Sequence, residues 1–244
     1  MMQRDELLSW LRETDETRLE DLWQRADGVR STHVGQDVHL RGLVEFSNYC
    51  ARPCTYCGLR AGSDVPRYRM TEDEILACAH EAVTLGFGTL VMQSGQDAAM
   101  GVDWLTNIVR RVKADTPLAV TLSVGEWPTD AYATWFDAGA DRFLLRFETS
   151  NRTIYDRIHP PVGKTPSDRL AILRNLRKIG YEIGSGVMLG VPGQAYNDLA
   201  RDIELFGELD LDMIGVGPYI AHPDTPLAHE ADLDDGEQVP NTEG

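Results

Sequence analysis

The feature that most constrains this chain is an alternation. Six short β-like runs, at residues 38–47, 89–94, 118–124, 142–148, 182–189 and 213–220, are mostly separated by segments of helical periodicity. Five of the six are strongly apolar, as strands buried on both faces are. Strand then helix, repeated, resolves most economically into a parallel sheet that curls toward a barrel. The segments between agree with this. Thr71-Glu72-Asp73-Glu74 has the form of a capping box and leads into Ile75, Leu76, Ala79, Ala82 and Val83 on one face, with Gly86 as the stop. Residues 167–179 repeat the pattern, with Ser167 as cap, Leu170, Ile172, Leu173 and Leu176 as the apolar stripe and Gly180 at the end. Ahead of the first run, Leu7, Leu8 and Leu11, then Leu19, Leu22 and Trp23, predict two short amphipathic helices packed against the main body. The expected fold class is α/β, a barrel-like parallel sheet with about six βα units present, and so a partial barrel. Residues 1–37 are expected as an N-terminal helical segment, 38–228 as the βα core and 229–244 as an acidic solvated tail.

Composition removes several functions. At 244 residues and 42% hydrophobic, one domain with a sizeable core is expected. A net charge of -16 repels phosphate backbones and anionic headgroups, so no nucleic-acid partner is expected. The apolar runs fall far short of the roughly 20 residues a bilayer crossing takes, and no membrane association is expected. The charged start, MMQRDELLSWLRE, has neither a continuous apolar stretch nor a small-residue cleavage site. The expected location is the cytoplasm.

Chemistry in a parallel barrel collects at the C-terminal ends of the strands. There the sequence places Cys50-Ala-Arg-Pro-Cys54-Thr-Tyr-Cys57-Gly58, three thiols on one loop after the first run. Three thiolate ligands suit a 4Fe-4S cluster with one iron left open, and the vacancy has a use. The amino and carboxylate groups of S-adenosylmethionine can chelate that iron, and an electron from the cluster can then break a carbon–sulfur bond. A structural zinc site is the alternative; it would need a fourth ligand from Cys78 or one of six scattered histidines. Cys78, at the edge of the apolar stripe of the 71–86 helix, reads as a packing residue. Arg146 and Glu148 alternate along a run and share a face, as a structural ion pair or as cofactor ligands. His159, His222 and His229 lie in proline-rich or tail segments and are expected in solvated or turn positions.

In these residues the chain resembles the radical S-adenosylmethionine superfamily. The words Phe46-Ser-Asn-Tyr-Cys50, Cys57-Gly-Leu-Arg60, Arg67-Tyr-Arg-Met70, Gln93-Ser-Gly95, Leu122-Ser-Val-Gly-Glu-Trp-Pro128 and His222-Pro-Asp-Thr-Pro-Leu227 resemble, more narrowly, the FeFe-hydrogenase maturase HydE family. That family is related to methylornithine synthase and biotin synthase. The resemblance covers about residues 38–228. It implies a deoxyadenosyl radical used in building the diiron subcluster of a hydrogenase, on a small cysteine-bound iron complex. It also implies a reductant such as a ferredoxin or flavodoxin, and the other hydrogenase maturases as partners. Residue by residue, it implies that Cys50, Cys54 and Cys57 ligate the cluster and carry the catalysis. Tyr56 would meet adenine through its backbone; Gln93, Thr121 and Ser123 would line the cavity; Arg146, Glu148 and Arg169 would hold the cofactor's charged and hydroxyl groups; Met188 would lie near the adenosine.

Two departures stand out. Phe147 occupies a place where such relatives often carry His, and the chain turns acidic after the sixth run, where full-length relatives continue into a further helix and two more strands. A truncated gene model, a fragment and a natural six-unit enzyme all fit that ending. An open edge on the sixth strand would need covering by the tail or a partner. Another small-molecule radical reaction, of the methylornithine synthase kind, and an iron–sulfur module without turnover remain as alternatives.

Overall fold

The structure is a computed structural model and describes residues 2–163, 166–230 and 239. Two helices, α1 (Arg4–Leu11) and α2 (Glu16–His33), precede a sheet of six parallel strands. The strands are β1 (Gly42–Ser47), β2 (Thr89–Ser94), β3 (Ala119–Ser123), β4 (Arg142–Leu144), β5 (Glu182–Leu189) and β6 (Met213–Pro218), neighbours in space in the order of the chain. Between them lie α3 (Glu72–Thr84), α4 (Val102–Asp115), α5 (Thr129–Asp137), the pair α6 (Arg152–Ile158) and α7 (Arg169–Ile179), and α8 (Tyr196–Glu208). Among the described residues β1 and β6 do not pair, so the sheet is open. The α/β arrangement and the partial barrel expected from the alternation are both present. The acidic tail lies, apart from His229, Glu230 and Val239, outside the described residues.

One row of side chains on each of β1 to β5 meets the helices. Phe46, Leu90, Met92, Val120, Leu122 and Phe143 pack against Ile75, Ile108, Val109, Trp135, Leu173 and Leu176 in one continuous core. Each fully buried aliphatic or aromatic side chain contributes roughly 1.5–3 kcal/mol relative to exposure, so the inner stripes of α3 and α4 fix where those helices sit. The opposite rows, among them Glu45, Gln93, Thr121 and Ser123, therefore face the concave side. Register joins them, with Glu45 beside Gln93 and Gln93 beside Ser123. The capping box at α3 is formed: Thr71 N–H donates to Glu74 Oε2 at 2.7 Å and Glu74 N–H donates to Thr71 Oγ1 at 3.3 Å.

Four expectations need correction. Asp168, not Ser167, caps α7, accepting from Ala171 N–H at 3.0 Å. Ser167 instead turns inward to Glu126. Helix α2 runs on through Gly28 to His33 and buries none of its residues, whereas α1 packs on the body through buried Leu7 and a contact with α8. The first run forms a strand only from Gly42, and Val38 and Leu40 are exposed. The fourth strand is only three residues long. Beyond it the Ser185 hydroxyl takes the place of a ladder carbonyl, accepting from Phe147 N–H at 3.2 Å and donating to Leu145 O at 2.8 Å. Glu148 then adopts φ 65°, the left-handed region, inside a three-residue turn closed by Thr149 N–H to Phe147 O at 2.8 Å. Such a turn is strained for any residue but glycine.

Helix α8 braces this turn. Asp202, fully buried, accepts from Ser150 N–H at 2.6 Å, while its second oxygen has no hydrogen-bond partner. Burial pushes its carboxyl up to about 6, with Asp198 adding to the shift and the Ser150 bonds opposing it. An acid whose pKa rises on folding stabilises the fold below its unfolded value and loses that contribution as pH climbs through the folded one. Asp202→Asn keeps the acceptor for Ser150. We expect it to gain about 3 kcal/mol on the unsubstituted protein between pH 4 and pH 7, the worth of roughly two pK units. Urea unfolding of both proteins across that range measures the difference.

Candidate functional site

The three cysteines sit on a loop with no regular secondary structure of its own, so side chains hold its shape. Asp97 anchors the loop's start, accepting from Ser47 Oγ at 2.7 Å and from Arg69 Nε at 2.6 Å, while the Arg69 guanidinium lies 3.7 Å over the Tyr49 ring. Arg67 reaches into the loop and donates to the carbonyls of Asn48, Leu59, Arg60 and Ser63. Arg60 Nε donates to Cys54 O at 3.2 Å, and Thr55 N–H donates to Ile158 O at 3.0 Å. Gly95, past the end of β2, lets the loop pass: a Cβ there would run into Tyr49 O and stand 2.6 Å from Cys50 Cβ. Gly95→Ala is therefore expected to displace Cys50 and cut iron loading on reconstitution, with a stability loss of roughly 1–3 kcal/mol. Iron and sulfide content per chain measures the first, thermal unfolding the second.

Among the described residues no three His, Cys, Asp or Glu side chains converge tightly enough for a single metal ion. A cluster takes each thiolate on a different iron and suits a wider spacing than one zinc does. The thiols are near enough to influence one another's charge. Burial pushes Cys54 up to about 11 and raises Cys57, with Cys50 adding to both; Arg169 and Arg52 pull Cys54 the other way. Thiols so raised are protonated and weakly nucleophilic at neutral pH, and a cluster that binds them displaces those protons.

Beside the loop, Tyr56, Arg146, Glu148, Arg169 and Met188 come together. Tyr56 OH donates to Glu148 Oε1 at 3.5 Å and meets His159 Nε2 at 3.2 Å. Arg146 Nη2 lies 3.1 Å from Glu148 Oε2 and also donates to Val187 O at 2.6 Å. Arg169 Nη1 donates to Arg146 O at 2.6 Å. Met188 packs with Tyr219, Leu227, Ile154 and Tyr56 in a small apolar cluster. Among the described residues the side chains of Gln93, Thr121 and Ser123 share no hydrogen bond with this group. They stand on the inward rows of β2 and β3, where Gln93 Nε2 donates to Glu45 Oε1 at 3.2 Å.

Several polar groups here are buried without a hydrogen-bond partner: Glu148 Oε2, Arg146 Nε, Thr121 Oγ1, and Nε and Nη2 of Arg52. Left empty, each such atom costs about 1–3 kcal/mol. Carboxylate, guanidinium and hydroxyl together match a ligand with ammonium, carboxylate and hydroxyl groups. The residues therefore fit both a cluster and a zwitterionic nucleoside such as S-adenosylmethionine. Glu148, whose carboxyl is raised by burial against the pull of Arg146 and Arg169, gains from an ammonium or hydroxyl partner.

Sequence reasoning missed two of these groups. His159 is 1% exposed, not solvated, its ring stacked at 4.4 Å on Tyr155 and its pKa pushed down to about 2 by burial and the Arg169 and Arg52 charges. Arg52 is buried beside Glu126, whose Oε1 accepts from Arg169 Nε at 2.9 Å and Ser167 Oγ at 2.8 Å. The one local signal for Arg52 was its place inside the cysteine spacing. Phe147 faces the helices, fully buried against Phe206, so the His-to-Phe departure lies on the outer side of the strand.

The radical SAM superfamily model matches residues 44–206. The [FeFe] hydrogenase maturase subunit HydE of Thermotoga maritima is 46% identical over 86% of this chain and 60% of its own length. The 3-methylornithine synthase of Methanosarcina acetivorans is 27% identical over 91% of this chain and 63% of its own. The crystal structure of methylornithine synthase (PylB) superposes with a TM-score of 0.85 at 24% identity, covering 96% of this chain and 69% of that one, and shares the fold. The chain thus spans about three fifths of the length of these two curated relatives. Among the described residues no helix is long and apolar enough to cross a membrane.

Proposed function

The chain belongs to the radical S-adenosylmethionine superfamily, and on that premise we propose that it reductively cleaves S-adenosylmethionine in the assembly of the diiron subcluster of FeFe-hydrogenase. The observation that carries the chemistry is the three-cysteine loop set against the Tyr56, Glu148, Arg146 and Arg169 group. The 46% identity to a HydE maturase supports the choice of product. Residues 38–228 make the catalytic core, and 1–37 form a helical segment that leans on it through α1.

Cys50, Cys54 and Cys57 would hold the 4Fe-4S cluster. When bound, the cluster supplies the electron that splits S-adenosylmethionine into methionine and a 5'-deoxyadenosyl radical. The chain's own residues place and shield that cofactor. Arg146, partly exposed, and Arg169, largely buried, present cationic N–H groups to a carboxylate, and such charge-assisted bonds are strong. Glu148 offers the oxygen that is paired with Arg146 but accepts no hydrogen bond to an ammonium or a ribose hydroxyl, and the Tyr56 hydroxyl holds the other oxygen in place. Met188 and Ile158 give the adenosine an apolar side and keep water from it. Gln93, Thr121 and Ser123, on the concave rows, face the space left for a small substrate, an iron complex on this reading. The reductant is of the ferredoxin or flavodoxin type, which places the reaction in the cytoplasm beside the other hydrogenase maturases.

The test is complementation: a maturation mixture lacking its HydE-type component receives this chain, and hydrogenase activity is read. Recovery supports the assignment. Deoxyadenosine formation without recovery would move the substrate toward the methylornithine synthase type, whose relative aligns over 91% of this chain.

A further inference from the structure

Arg52 is the middle residue of the Cys50–Cys54 spacing, and its side chain is 7% exposed. Buried guanidiniums are ordinarily matched by an acid and saturated with acceptors. This one has only a shared acid and is not saturated. Its Nε and Nη2 have no hydrogen-bond partner, and its nearest acid, Glu126 Oε1, is 3.5 Å away. That same oxygen is already bonded to Arg169 Nε at 2.9 Å and Ser167 Oγ at 2.8 Å. Arg169 spends its Nη1 on Arg146 O. Arg146 and Glu148 balance each other next door. Two buried guanidiniums thus share one carboxylate, and a positive charge is left without a partner on the inner side of the thiol loop. Backbone fixes it there, since Ala61 N–H donates to Arg52 O at 2.8 Å.

We propose that Arg52 is the electrostatic partner of the cluster held by its own loop, and that its unmatched charge sets the cluster's reduction potential. Three thiolates bring more negative charge than the oxidised cluster carries positive, and reduction adds another. A fixed cation in a low-dielectric setting stabilises the more negative, reduced form and raises the midpoint. Glu126, which partly cancels the two guanidiniums, acts in the opposite sense.

The inference rests on the cysteines holding the cluster and is tested by a potentiometric titration followed by EPR, without S-adenosylmethionine. If the unsubstituted protein takes up no cluster, the cluster reading itself fails. If it does, Arg52→Gln is expected to lower the reduced-to-oxidised ratio at a fixed potential about tenfold, about 59 mV in midpoint for one electron. Arg52→Lys, which keeps the charge, is expected to stay near the unsubstituted value. Glu126→Gln is expected to move the midpoint up. Opposite shifts from the two neutralising variants are not what simple loss of packing gives. An unmoved midpoint in Arg52→Gln, or shifts of the same sign in Arg52→Gln and Glu126→Gln, would overturn the proposal. So would a changed affinity for S-adenosylmethionine with no change in midpoint, which would make Arg52 a cofactor ligand instead. Should Arg52→Gln fail to load, Glu126→Gln and Arg52→Lys decide: the first must rise and the second must hold.

Discussion

Cys54→Ala protein, reconstituted with iron and sulfide, is expected to lose the visible absorbance of the cluster and to form deoxyadenosine more than about a hundredfold more slowly than the unsubstituted chain. Even the outer partners of metal ligands typically cost 10–100-fold when removed, and Cys54 is a ligand on this reading. It is also the most buried of the three cysteines, so a water or exogenous thiol replaces it poorly. Cys78 cannot stand in, because it lies on α3 against the outer core. The apo protein should barely notice the change, since a buried protonated thiol behaves as a small apolar group and its loss costs about 1 kcal/mol. Iron content, absorbance and the product assay on one preparation separate loss of the cluster from loss of the fold. A cluster retained at full occupancy would remove Cys54 from the ligand set.

Glu148→Gln is expected to behave in the opposite way, keeping the cluster and losing the cofactor. One carboxylate oxygen lies near Tyr56 OH and the other has no hydrogen-bond partner, in a residue that is 5% exposed. A bond from that oxygen to a charged or hydroxyl group of S-adenosylmethionine is worth about 1.5–3 kcal/mol, so the dissociation constant should rise roughly 10–150-fold. Stability at neutral pH should hold or improve, because a neutral amide escapes the desolvation that raises the Glu148 carboxyl. Glu148→Gly sharpens the contrast. It should relieve about 1–3 kcal/mol of left-handed backbone strain while binding the cofactor no better than the Gln variant. Equilibrium binding to the reconstituted protein and thermal unfolding of the apo form measure the two effects. A strained conformation retained at a non-glycine residue is what a site requirement, as opposed to a packing one, leaves behind.

Much of the fold could be read from the sequence because its signals are periodic and local. Apolar runs set the strands, and the capping box and Gly86 bracket α3 within a residue or two. The failures have a common physical form. The alternation Arg146, Phe147, Glu148 looks like a strand, but whether a ladder forms depends on Ser185, whose hydroxyl displaces the backbone partner from nearly forty residues away. Ser167 and Asp168 are both good caps, and the choice between them is made by Glu126, which takes the serine. The helical period of α2 is clear from Leu19, Leu22 and Trp23, yet periodicity says nothing of how deeply a face is covered, and this one leaves Leu19 and Leu22 half-buried and Trp23 exposed. His159 looked solvated because prolines follow it; its actual partner, Tyr56, is 103 residues distant. The site divides along the same line. The cysteines announce themselves by spacing, whereas the unmatched charge of Arg52 exists only once Glu126 and Arg169 are brought beside it.

The most direct measurement is anaerobic: the reconstituted chain with dithionite and S-adenosylmethionine, assayed for 5'-deoxyadenosine and methionine. Equal amounts of the two, appearing with time and absent without reductant, are the predicted result. A fully loaded and reducible cluster that yields neither product would contradict cleavage by this chain.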